Sequence, residues 1–112
     1  MEQDSAVAAL AALAQPSRLE VFRLLVQAGT EGMQPSFITA RLGLAPATLS
    51  FHLTQLRHAG LITCRRDGRS LIYVAAYTTM NALLAYLTEN CCQGDSSACQ
   101  PHRLECPVNA GV

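Results

Sequence analysis

Residues 35–75 constrain this chain more than any other stretch, because the hydrophobic pattern there changes at glycines. Phe37, Ile38 and Leu42 recur at helical spacing up to Gly43. After a short turn, a second helical stripe of Leu49, Leu53 and Leu56 occupies residues 45–59 and is closed by Gly60. Two β-prone runs follow, residues 61–64 and 70–75, flanking Arg65-Arg66-Asp67-Gly68-Arg69, and Asp-Gly between such runs is a strong hairpin signal. Two short helices joined by a glycine-containing turn make a helix-turn-helix, whose second helix lies in the major groove of DNA. A hairpin with three arginines at its tip, directly after that helix, is a wing. The expected fold class is mainly α with a β-hairpin wing, a winged helix-turn-helix.

The flanks add three helices. Residues 5–14 are alanine-rich and apolar on most sides, so this short helix can approach another backbone closely and wants a partner. Gln15-Pro16-Ser17 starts the next helix, with Pro16 at its first position, and Leu19, Phe22, Leu25 and Val26 form its stripe up to Ala28-Gly29. Thr78 or Thr79 can cap a last helix in which Met80, Leu83, Leu84 and Leu87 share a face, with Cys91 on that stripe one turn later. Beyond Gln93 the chain is polar and without period, and is expected to stay irregular unless a ligand orders it. Residues 5–92 are expected to form one DNA-binding domain, and residues 93–112 a cysteine-containing tail.

No apolar run approaches the roughly 18 residues of a membrane span, and the start of the chain is acidic, so a cytoplasmic protein with no membrane partner is expected. Formal net charge is zero, which argues against a nonspecific polyanion binder. The charge is nevertheless divided: residues 15–80 hold seven arginines against three acids, and the remainder is acidic. There is no lysine, so every fixed cation is a guanidinium, whose planar fork suits phosphate and guanine.

On the second helix of the helix-turn-helix, Thr48, Ser50, Thr54 and Gln55 are short polar side chains able to reach base edges, and Phe51 can meet a thymine methyl. Arg57, Arg65, Arg66 and Arg69 are placed to hold phosphates. The run Ala45-Pro46-Ala47-Thr48-Leu49-Ser50-Phe51-His52-Leu53, continuing through Leu56-Arg57-His58-Ala59-Gly60-Leu61-Ile62, resembles the recognition helix of the arsenical-resistance repressor (ArsR/SmtB) family. Pro16-Ser17-Arg18-Leu19, Leu42-Gly43-Leu44 and Asp67-Gly68-Arg69 fall where that family has counterparts. The resemblance implies a homodimer held by the first and last helices, bound to a two-fold operator of double-stranded DNA and released by an inducer. His52 matches a family histidine but lies at the edge of the apolar stripe, and is read as structural.

Four of the five cysteines fall within residues 91–106, and an odd count without an export signal points to reduced thiols. The family's cysteine pair in the third helix is absent here, as are the aspartates and histidines of its site on the last helix. Cys91, Cys92 and Cys99 remain as three thiols, the number that trivalent arsenic takes up as a pyramid, so arsenite or antimonite is the expected inducer. A vicinal pair followed by a nearby cysteine resembles a subgroup of arsenite-responsive repressors with the site at the end of the last helix. With Cys106 the set could instead serve zinc, cadmium or thiol redox sensing on the same fold. Cys64, amid Leu61, Ile62 and Thr63, is read as a small buried hydrophobe. No Cys-x-x-Cys, phosphate loop or βαβ pattern supports an enzyme.

Overall fold

The computed structural model describes residues 1–91; residues 92–112 lie outside the described part. The elements follow in the order α1 (Gln3–Leu13), α2 (Pro16–Ala28), a 3-10 turn (Gly29–Glu31), α3 (Pro35–Leu42), α4 (Pro46–His58), β1 (Ile62–Asp67), β2 (Ser70–Ala75) and α5 (Tyr77–Leu87). Three helices open on a proline, Pro16, Pro35 and Pro46, where the missing N–H has no intrahelical partner to lose. At α2 the Gln15 side chain also accepts from the Arg18 backbone N–H at 2.7 Å. Helix α3 stops because Gly43 turns left-handed at φ 68°, a conformation glycine adopts without strain, and its N–H donates to the Thr39 carbonyl at 2.8 Å.

The core lies where these helices meet. Val21, Phe22 and Leu25 of α2, Ile38 of α3, Leu49, Leu53 and Leu56 of α4, Leu61 and Leu83 are all buried. Helix α1 joins through Ala6, Ala9 and Ala12, whose three-residue spacing buries one narrow stripe of methyl groups and brings the backbone close. Helix α5 is tied to α2 by the Tyr77 hydroxyl, which donates to the Val26 carbonyl at 2.8 Å.

The hairpin is longer than its composition suggests. Pairing continues from Ile62↔Ala75 to Asp67↔Ser70, so Gly68-Arg69 alone forms the turn, and Arg65 and Arg66 lie in β1 opposite Ile72 and Leu71 rather than at the tip. Met33 adds a bridge on the far side of β2, with Met33 N–H donating to Tyr73 O at 3.0 Å and Tyr73 N–H to Met33 O at 2.9 Å. Gly32 permits this approach: at φ 67°, a side chain there would run into the Tyr73 carbonyl oxygen.

Two expectations for α5 are corrected. It begins at Tyr77 with Ala76 as its cap and no capping side chain, so neither Thr78 nor Thr79 serves. It ends at Leu87, and Asn90 then turns left-handed at φ 58°, so Cys91 lies past the helix end instead of on its stripe. No helix among the described residues is long and apolar enough to cross a membrane.

Candidate nucleic-acid interface

Helix α4 divides along its length. Leu49, His52, Leu53 and Leu56 face the core, while Thr48, Ser50, Phe51, Thr54 and Arg57 are exposed. Gln55 is half-buried at the edge of that exposed face, where it borders a recess shared with Ala8, Ala11 and Arg18. The Thr54 hydroxyl donates to the Ser50 carbonyl at 3.0 Å, which leaves its lone pairs to accept from a base amino group. Phe51 is 57% exposed, and the Arg18 guanidinium carbon lies 6.0 Å from its ring centroid.

His52 is the one buried polar side chain among the described residues. Arg18 Nη1 donates to its Nδ1 at 3.3 Å. Burial, and after it the Arg18 charge, hold the imidazole below its ordinary pKa, which bears out the structural reading of this histidine.

The arginines expected to hold phosphates fall into two sets. Arg66 and Arg69 are exposed and make no hydrogen bond within the described residues, so their forks are open to a ligand. Arg65 is committed: it donates through Nη1 to the Thr30 carbonyl at 3.0 Å and through Nη2 to the Glu31 carbonyl at 3.2 Å, staking the wing to the 3-10 turn. Arg57 is exposed, and its charge acts on the Tyr73 phenol. Burial and the neighbouring Cys64 thiol push that phenol above its usual pKa, and Arg57 pulls it the other way. Cys64 itself is partly buried against the core, directly across the hairpin from Tyr73.

Of the thiols expected to hold an inducer, Cys91 is described: it is free and half-buried, and its N–H donates to the Thr88 carbonyl at 2.9 Å. Cys92, Cys99 and Cys106, and the boundary at residue 92, lie outside the described residues or at their limit. Among the described residues no three His, Cys, Asp or Glu side chains come together as a metal site needs.

Sequence reasoning assigned no role to Arg18. Its one local signal is position, because a cation in the first turn of a helix opposes the helix dipole and so needs another reason to be there.

Comparison with known proteins agrees with this architecture. A family model described as a helix-turn-helix domain matches residues 13–65. The HTH-type transcriptional regulator YgaV of Escherichia coli (strain K12) is 32% identical over 89 residues, which cover 80% of this chain and 88% of that protein. The transcriptional activator HlyU of Vibrio cholerae is 30% identical over 97 residues, covering 85% and 87%. Among solved structures, an ArsR-like transcriptional regulator from Rhodococcus sp. RHA1 matches with a TM-score of 0.71 at 23% identity, over 85% of this chain and 87% of that one, a likeness of fold. The homodimeric winged helix-turn-helix DNA-binding domain of Mb0332 from Mycobacterium bovis gives 0.63 at 26% identity, over 76% and 77%. A possible transcriptional regulator for arsenical resistance gives 0.61 at 29% identity, over 70% and 78%. All of these are described as transcriptional regulators or possible ones, and none as an enzyme.

Proposed function

The chain belongs to the helix-turn-helix transcriptional regulators, and from that premise we propose that it is a homodimeric repressor that leaves its operator on binding arsenite or antimonite. The observation that carries this is the coexistence of two faces of opposite chemistry that the described residues leave uncovered. The α4 face is polar and flanked by the open forks of Arg66 and Arg69, which suits base edges and phosphates. Val7 and Leu10 of α1 and Leu84 and Leu87 of α5 form exposed apolar pairs on helices that touch each other, which suits a second copy of the chain. The homodimeric Mb0332 domain supports that occupant.

The inducer assignment rests on thiol chemistry. Cys91 stands four residues past the end of α5, and Cys92 and Cys99 complete three sulfurs close in sequence, the number trivalent arsenic needs. A similar solved structure described as a possible regulator for arsenical resistance supports the same class of inducer. Capture there pins the end of a helix whose Leu84 and Leu87 belong to the proposed dimer face, so the two copies of α4 change their separation on a duplex whose half-sites are fixed. A coupling of about 1–3 kcal/mol lowers operator affinity roughly 5- to 150-fold, and bound operator weakens inducer binding by the same factor.

Fluorescence anisotropy tests this, using a labelled duplex from the DNA upstream of the chain's own gene and the reduced protein. Arsenite and antimonite are expected to release the DNA; zinc, cadmium and peroxide are not. Cys91→Ser, Cys92→Ser and Cys99→Ser combined should leave DNA binding intact and abolish release. Arsenite release that persists in the triple variant removes these thiols from the site, and release by zinc, cadmium or peroxide alone replaces the metalloid reading.

A further inference from the structure

Arg18 is the third residue of α2, where the helix dipole disfavours positive charge. Three contacts outside α2 hold its guanidinium. Nε donates to the Ala12 carbonyl in the last turn of α1 at 2.7 Å, Nη1 donates to His52 Nδ1 on α4 at 3.3 Å, and the carbon of the fork lies 6.0 Å from the Phe51 ring centroid. The last turn of α1 has no basic residue of its own, so Arg18 supplies the cation that helix end favours. Arginine can only donate, so His52 Nδ1 must be bare, and the ring must be neutral with its proton on Nε2.

We propose that Arg18 is a positioning residue for operator recognition, a strut that fixes the reading face of α4 relative to α1 through Ala12, neutral His52 and Phe51. This rests on the DNA-binding reading of α4 and adds a link between the reading helix and the helix carrying Val7 and Leu10. A guanidinium suits the task because its rigid planar fork donates in two directions while its central carbon stays within cation–π range of an aromatic ring, which an ammonium cannot match. His52 is the part of the strut that responds to acid. From α2 it faces Arg18, from α4 it lies beside Phe51, and the end of α1 held by the same guanidinium brings alanine. Among the described residues Arg18 is the charged group that acts on it. Protonation would set a second cation against Arg18 and remove the acceptor. The folded pKa lies below the unfolded value, so the contribution to stability is complete above about pH 6.5 and is lost as pH falls through the lowered value.

The test uses the full chain and the same upstream duplex. Arg18→Met is expected to weaken binding roughly tenfold, the scale of one lost charge-assisted hydrogen bond, with an unchanged slope of log affinity against log salt, because no phosphate contact disappears. Arg18→Lys should not restore it. His52→Gln, which keeps a neutral acceptor, should bind like the parent at pH 7.5 and lose the weakening that the parent shows between pH 7 and 5. Long-range proton–nitrogen correlation spectra of the parent should place the His52 proton on Nε2, and Arg18→Met should raise the midpoint of its titration. A salt slope shallower by about one in Arg18→Met makes Arg18 a phosphate ligand and overturns the strut. A protonated Nδ1 at neutral pH overturns it as well. If Arg18→Met does not fold, the spectra of the parent and the pH profile of His52→Gln decide. If the parent binds no duplex, the DNA reading fails, and the spectra alone decide whether the strut exists.

Discussion

The outward face of α4 and the outward faces of α1 and α5 are both left uncovered by the described residues, yet water treats them differently. On α4 the exposed polar groups around one phenylalanine are hydroxyls, a guanidinium and the His58 imidazole, and solvent can satisfy nearly all of them until DNA replaces it. On α1 and α5, Val7, Leu84 and Leu87 are 54–55% exposed and Leu10 is 42% exposed, and solvent satisfies none of them. On the proposed reading, the polar face is complete in a free protomer and the apolar face is completed by a second copy. Exposed apolar pairs at i, i+3 on two touching helices suit the two-fold, self-complementary contact proposed above.

The largest expected effect comes from charging the apolar face. Leu10→Glu with Leu87→Glu should leave each protomer folded, since both side chains are already exposed. In a two-fold contact each substitution occurs twice, and an uncompensated charge in an apolar interface costs about 3–5 kcal/mol. Light scattering should report a monomer, and operator affinity should fall about 100-fold or more as two half-sites lose their linkage. A monomer that binds the operator as tightly as the parent would break the division of labour between the faces.

A smaller change should strike the DNA side alone. Gly32 lies on neither face, but its close approach to Tyr73 and its positive φ let Met33 hold the hairpin. Gly32→Ala combines backbone strain with overpacking, roughly 2–4 kcal/mol together. Thermal unfolding should show that loss, and operator binding should weaken while the dimer mass is kept. Dissociation of the dimer would mean that the two faces are not independent.

Much of this division was legible in the sequence, for local reasons. Pro16 marked the start of α2, glycines marked the ends of α2, α3 and α4, and apolar residues at helical period placed Leu49, Leu53 and Leu56 inward, leaving the opposite face of α4 exposed. What could not be read depends on groups far apart in the chain. An arginine suited to phosphate looks the same as one suited to a carbonyl, so nothing in Arg65 announced its bonds to Thr30 and Glu31, 35 and 34 residues away. Arg18 and His52 are likewise 34 apart, and each alone has only a weak local signal. The end of α5 was missed for a different reason: asparagine tolerates the left-handed conformation without demanding it, so Asn90 gave no firm stop.

The finest test separates two arginines of one hairpin. Arg69→Ala should make the salt dependence of operator binding shallower by about 0.9 in slope, the signature of one phosphate, and leave thermal stability nearly unchanged. Arg65→Ala should do the reverse: it removes two exposed hydrogen bonds to backbone carbonyls, costs about 1 kcal/mol in unfolding, and leaves the slope alone. Its effect on affinity should be indirect and small, through a wing less firmly held. If both variants lower the slope alike, Arg65 must leave Thr30 and Glu31 when DNA arrives, and the bound wing then differs from the free one. That outcome would make the polar face, like the apolar one, a surface completed only by its partner.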